Sequence, residues 1–147
     1  TNQSAVGRGL ITIKDAVEIN NRIVSMVEQG GGRVDAVYMC PHKPEDNCDC
    51  RKPKPGMILQ AAKTFAIDLQ HSLIVGDSLS DLEAGQAAGI RHRYLVRTGR
   101  GTQEEVSSDD ERLKGIFVVD DLAQAISNHF ERNISDRKVQ LNRLSEN

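Results

Sequence analysis

All three cysteines of the chain fall within eleven residues, in the segment CPHKPEDNCDCRKPKPG from Cys40 to Gly56, and His42 stands among them. Cys40, His42, Cys48 and Cys50 read C-x-H-x5-C-x-C. Three thiolates and one imidazole make a closed tetrahedral zinc set, which leaves no position for a catalytic water. The spacing is shorter than that of a zinc finger, so the loop has to wrap the ion on itself. Two alternatives stand beside zinc. The cysteines could be incidental small hydrophobes, although their Pro, Lys, Glu, Asp and Asn neighbours form no apolar run. They could serve redox chemistry, although no C-x-x-C is present. The zinc reading predicts a structural ion.

Arg51-Lys52-Pro53-Lys54-Pro55-Gly56 follows the last cysteine at once. Prolines restrict their neighbours to extended backbone, so Arg51 and Lys52 are expected to project from a stiff base. A planar guanidinium and a compact ammonium together suit a phosphate ester. The plainer alternative is a solvated basic turn. A metal clamp directly before the pair argues for a rigid mount carrying two cations.

The rest of the chain alternates short apolar runs with amphipathic stretches, which predicts an α/β fold: a Rossmann-like, mainly parallel sheet flanked by helices, with the zinc loop as an insertion. Strands are expected at Ala36–Met39, Leu73–Val75, Tyr94–Val96 and Ile116–Val119. One helix is expected from Thr12, capped by Thr12 and Asp15, with Ala16, Ile19, Ile23 and Val27 inward and a stop at Gly30. A second follows Pro55-Gly56 with Ile58, Ala62, Phe65 and Ala66 inward. A third follows Ser80 or Asp81, lined by Ala84, Ala87 and Ala88. The last runs from Asp120, an N-cap candidate, through Leu122, Ile126 and Phe130. Residues 1–130 read as one domain, and 131–147 as a polar tail, frayed or disordered.

A net charge of −2 gives no electrostatic reason to expect nucleic acid or an anionic membrane as partner. With no Trp, two Tyr and three Phe, the chain has few residues for stacking bases. No apolar run reaches the roughly 18–20 residues of a membrane span. An odd number of cysteines fits a reduced, cytoplasmic setting.

Two further stretches bear on chemistry. In LIVGDSLSDLEAG, residues 73–85, Asp77 should stand at the carboxyl tip of a buried strand, with Asp81 four residues on. A strand-end carboxylate can hold Mg2+, which keeps several waters and takes few protein ligands. The alternative is that the two aspartates cap a turn and a helix. The opening TNQS offers hydroxyl, amide and backbone donors from Thr1, Asn2, Gln3 and Ser4 to an anion. In open α/β sheets such loops follow strand ends, where ligands bind. The four features together point to a phosphate site.

TNQS, CPHKPEDNCDCRKPKPGM and VGDSLSD resemble the haloacid dehalogenase superfamily of phosphatases. Within it they are most similar to the subfamily of heptose bisphosphate and histidinol-phosphate phosphatases. The resemblance runs from Thr1 to about Phe130, and the zinc loop joined to R-K-P-x-P-G-M is its specific part. It implies that the Thr1 hydroxyl bonds the transferring phosphoryl group, and that Asn2 and Gln3 lie on the substrate. It gives Lys52 the charge on nucleophile and phosphoryl oxygens, Arg51 a substrate contact, and Asp77 the Mg2+. Zinc at the Cys/His cluster is implied as a structural ion. The implied activity is hydrolysis of a small phosphorylated sugar, heptose 1,7-bisphosphate to heptose 1-phosphate, in surface-glycan synthesis. Histidinol phosphate is the alternative substrate, and a non-catalytic zinc-bound partner domain or half of a split protein the alternative of another class. A monomer is expected.

The superfamily's aspartate nucleophile and acid/base sit in a D-x-D-G-T motif, which the 147 residues do not contain. The resemblance places it upstream of Thr1, and the chain alone is then expected to be inactive and poorly folded. Ala5 stands where the family usually has glycine, and Ser78 where some members carry lysine.

Overall fold

The computed structural model describes residues 1–132. Most of the predicted polar tail, 133–147, lies outside them. Contacts group the chain into two compact units, the first Thr1–Asp68 and the second from Leu69 onward.

The second unit is built on a parallel sheet in the order β1-β2-β3, with β1 at Leu73–Gly76, β2 at His92–Val96 and β3 at Phe117–Val119. The register sets Val75 beside Tyr94 and Leu95 beside Val118. Alternate residues then feed two separate apolar clusters, as the twofold period of a strand requires. Leu73, Val75, Tyr94, Val96, Phe117 and Val119 pack with Ala125 on one face. Ile74, Leu95 and Val118 pack with Leu79, Leu82, Leu113 and Ile116 on the other. A sheet covered on both faces explains why the strands read as continuous apolar runs.

Helix α4, Leu79–Ala87, lies on the second face. It begins ahead of the expected Ser80 or Asp81, because the Ser78 N–H donates to the Asp81 carboxylate at 3.3 Å and starts the first turn. Its inward residues are Leu79, Leu82, Ala84 and Gly85, whereas Ala87 is exposed. Gly85 permits the close approach, since a Cβ there would come within 2.7 Å of Ile74 Cγ2. Two short helices were not foreseen, α5 at Gly101–Ser107 and α6 at Asp110–Leu113. The guanidinium of Arg97 binds both Glu105 oxygens, at 2.8 and 2.9 Å, and reaches Asp120 at 2.7 Å, so α5 is tied to the ends of β2 and β3.

The last helix, α7, covers residues 122–132. Its cap is Asp121, whose Oδ1 accepts the Gln124 N–H at 2.9 Å, and not the expected Asp120, which is taken by Arg97. The inward face is displaced accordingly. Ala125 and His129 are buried, while Leu122 and Phe130 are more than half exposed.

In the first unit, α1 is a single turn at Ser4–Gly7, and α2 spans Ile13–Gln29. Thr12 and Asp15 form the expected reciprocal cap, at 2.8 and 3.1 Å, and the helix ends at Gly30. Of the predicted inward face only Ala16 is buried; Ile19, Ile23 and Val27 are 40–54% exposed. Helix α3, Gly56–Phe65, buries Met57 and leaves Phe65 46% exposed, which corrects the expected inward Phe65 and Ala66. Residues 36–39 form no regular strand. Among the described residues the extended chain there is met at the Tyr38 carbonyl, which accepts the Thr1 amino group at 2.7 Å, and then at one parallel bridge, Asn2 with Cys40; a strand needs a longer ladder of partners. Among the described residues no helix is long and apolar enough to cross a membrane.

Gly85→Val should lower the stability of the second unit by about 1–3 kcal/mol, because branched carbons would be forced onto Ile74. Denaturant unfolding followed by circular dichroism checks this, and an unchanged midpoint would mean that α4 is free to lift from β1.

Candidate functional site

In the first unit the chain from Cys40 to Cys50 closes on itself. A short 3-10 turn, Pro44–Asp46, is held by the Lys43 N–H donating to Asp46 Oδ2 at 2.8 Å. Asn47 then takes a left-handed backbone (φ 46°), which reverses the chain toward Cys48. The Lys54 ammonium pins this reversal by donating to the Asn47 carbonyl and side chain, both at 3.1 Å, and to Asp49 at 3.2 Å. Gly56 is required behind it, because a side chain there would strike the Asp49 carbonyl and the Cys50 backbone.

The four predicted ligands meet as a result, with their ligating atoms all within 4.8 Å of one another. Cys40 Sγ lies 3.5 Å from Cys48 Sγ and 3.6 Å from His42 Nδ1. Cys50 Sγ lies 3.3 Å from both Cys48 Sγ and His42 Nδ1. Zinc bonds of about 2.3 Å to sulfur and 2.0 Å to nitrogen imply tetrahedral edges of about 3.7 Å and 3.5 Å. Four of the six edges, at 3.3–3.6 Å, are close to those values. Cys40 is fully buried, and the cysteines form no disulfide.

The electrostatics agree with a cation at the centre. Burial alone would raise the Cys48 thiol, but hydrogen bonds from Cys50 and Cys40 outweigh it and lower its pKa to about 7. Burial, and then the neighbouring Cys40 and Cys48, push Cys50 up to about 12. One thiol ionises readily and the next resists, so several adjacent thiolates need a shared positive ion. The donor set fits zinc.

Arg51 and Lys52 follow this loop within a tight turn, whose Lys54 N–H donates to the Arg51 carbonyl at 3.0 Å. One Arg51 nitrogen donates to the His42 carbonyl at 3.2 Å, so the guanidinium is braced on a ligand residue while most of its donors remain. The carboxamide of Asn2 brackets the Lys52 backbone: Nδ2 donates to the Lys52 carbonyl and Oδ1 accepts the Lys52 N–H, each at 3.1 Å. The TNQS segment is itself bound to a zinc-ligand residue. The Cys40 N–H donates to the Thr1 carbonyl at 2.9 Å, and the Gln3 N–H to the Cys40 carbonyl at 2.7 Å. Ser4 opens α1. Thr1, Asn2, the Cys/His cluster, Arg51 and Lys52 therefore share one hydrogen-bonded framework. Sequence reasoning gave Asn2 to the substrate and missed its bond to Lys52, which spans 50 positions and leaves no local signal.

In the second unit Asp77 stands just past the carboxyl end of β1, half-buried. Its Oδ2 accepts the Arg100 N–H at 3.1 Å. A half-buried carboxylate at a strand end suits a hydrated Mg2+, which takes few protein ligands. Asp81 is used to start α4. Ser78 is buried and donates to Glu104 Oε1 at 3.2 Å, with Ser80 Oγ 3.0 Å away, a network that sequence reasoning did not find.

Residues 49–125 match the HAD-hydrolase-like family. The chain is 39% identical, over 127 residues, to the D-glycero-β-D-manno-heptose-1,7-bisphosphate 7-phosphatase of Pseudomonas aeruginosa, covering 86% of this chain and 69% of that protein. It is 42% identical to the enzyme of the same name from Bordetella bronchiseptica, over 84% of this chain and 67% of that one. For the Neisseria meningitidis enzyme of that name, the chain spans just over half the length, 54%. The crystal structure of D,D-heptose 1,7-bisphosphate phosphatase from B. bronchiseptica, complexed with magnesium and phosphate, superposes with a TM-score of 0.79 at 39% identity, covering 90% of this chain and 72% of that one. With a family match over more than half its length and relatives this similar, the chain belongs to the HAD-like hydrolases.

Proposed function

We propose that this protein is a phosphatase that removes the 7-phosphate of D-glycero-β-D-manno-heptose 1,7-bisphosphate. The observation that carries the reading is the junction of the Cys/His cluster with Arg51 and Lys52, two cations braced on the loop that the metal would close. The relatives that bear this enzyme's name, at 39% and 42% identity, support the substrate. Histidinol phosphate is the control substrate, because a metal-braced cation pair does not by itself select the leaving alcohol.

Lys52 stabilises charge on the phosphoryl oxygens, and a fixed cation does this without reorganising at the moment of reaction. Arg51 holds a substrate phosphate through the donors that His42 leaves unused. Thr1 donates its hydroxyl to the phosphoryl group, with Gln3 and Ser4 beside it. Asp77 holds Mg2+, which supplies further neutralisation of phosphate charge when bound. The nucleophilic and proton-transferring aspartates of the superfamily are not among these 147 residues. Zinc at Cys40, His42, Cys48 and Cys50 is structural, since four protein ligands leave no site for a reacting water.

Metal analysis of the purified protein should give close to one zinc per chain. Cys48→Ser should lower that stoichiometry and the thermal midpoint together; unchanged zinc content would remove the assignment.

In the full-length enzyme, Lys52→Ala should reduce kcat by roughly 100-fold or more. Arg51→Ala should act mainly on KM. Equal and small effects of both on kcat would mean that the pair is a solvated turn. Steady-state assays with heptose bisphosphate and histidinol phosphate, side by side, decide the substrate, and a preference for histidinol phosphate overturns the reading.

Asp77→Asn should weaken magnesium activation, measured as the Mg2+ concentration for half-maximal rate. An unchanged value would move the metal to other ligands.

A further inference from the structure

We infer that Asn2 is a positioning residue for Lys52, acting through the lysine's own peptide groups and not on the substrate. The inference rests on the catalytic reading of Lys52 given above.

A carboxamide that donates to the carbonyl and accepts from the N–H of one residue copies the pairing of a neighbouring strand, and it does so here at 3.1 Å on both sides. Two bonds to one residue fix that residue's rotation as well as its place, which a single bond cannot do. Lys52 has need of such a fix. It stands two residues beyond Cys50, outside the metal loop, and is followed by Pro53, which has no N–H to anchor the chain. The lysine side chain is long and rich in rotamers, so the position of its ammonium depends on where its backbone is held.

Asn2 is itself set by the metal loop. It bridges Cys40 in the parallel sense, and its neighbours Thr1 and Gln3 carry the two bonds to the Cys40 backbone. The same residue therefore takes its main-chain position from one end of the Cys/His cluster and imposes it, through its side chain, on the residue leaving the other end. Thr1 lies next to it in sequence, so the clamp also sets the spacing between the Thr1 hydroxyl and the Lys52 ammonium. Displacing a reacting group by about 1 Å can cost on the order of 100-fold in rate. A contact with no part in chemistry can thus control kcat.

The experiment is a double-mutant cycle in the full-length, zinc- and magnesium-loaded enzyme, with heptose bisphosphate as substrate. Asn2→Ala should lower kcat about 10-fold or more and leave KM within about twofold. Asn2→Ala combined with Lys52→Ala should be no slower than Lys52→Ala alone, because a clamp has nothing left to position. Asn2→Asp keeps the acceptor for the Lys52 N–H and the side-chain volume. It should fall between wild type and Asn2→Ala, and it carries the same test if Asn2→Ala loses zinc or fails to fold. A raised KM with kcat kept would put Asn2 on the substrate and overturn the inference. So would multiplying effects in the double variant, or full activity in Asn2→Ala. If Lys52→Ala alone leaves kcat unchanged, the catalytic reading of the lysine fails first, and that result is visible without any Asn2 variant.

Discussion

The arrangement of the first unit depends on the convergence of Cys40, His42, Cys48 and Cys50. Among residues 1–68 the buried apolar side chains are Ala16, Cys40 and Met57, and one of these three is itself a ligand. A structural zinc supplies on the order of 10–16 kcal/mol in small peptide folds, comparable to the whole stability of a typical domain at about 5–15 kcal/mol. In the second unit, by contrast, two apolar clusters sandwich the sheet.

The hydrogen bonds around the cluster carry its rigidity outward in both directions along the chain. Upstream, Cys40 shares its backbone N–H and carbonyl with Thr1 and Gln3. Downstream, the carbonyl of His42 braces Arg51, and Lys54 ties its ammonium back to Asn47 and Asp49. Asn2 then joins the two directions at Lys52. None of these contacts is strong alone, since a typical hydrogen bond contributes about 0.5–1.5 kcal/mol net. Their value lies in sharing atoms, so that a displacement at any one point has to break several at once.

How far this could be read from sequence follows from the range of each interaction. The ligand set was legible because all four residues lie within eleven positions, and the Thr12–Asp15 cap because it spans one helical turn. The strands of the second unit were legible because a sheet covered on both faces needs continuous apolar runs. Residues 36–39 looked the same, yet a strand is defined by its neighbours, and among the described residues the pairing here is limited to Thr1–Gln3 against Tyr38 and Cys40. Inward faces were misread at Phe65 and Phe130 for a related reason. Helical period gives the spacing of a face but not which face is covered, and capping by Asp121 in place of Asp120 shows the same one-residue slip. The bond from Asn2 to Lys52 was invisible, as no local pattern marks a partner 50 residues away.

A metal in this loop also answers a conflict that an apolar core could not. Arg51 and Lys52 can act on a phosphate only if they are held still, and holding a loop still by apolar packing would bring nonpolar surface against two cations. Burying a charge without a partner is costly enough to shift its ionisation or unfold its surroundings. Coordination would avoid this, because an ion at Cys40, His42, Cys48 and Cys50 would fix four side chains inside the loop and leave the outer face polar. The prolines at 53 and 55 extend the effect by removing chain freedom without adding contacts. The loop is therefore stiff and charged at once, a combination that few ligand sets other than a closed thiolate-imidazole cage can give to so short a segment.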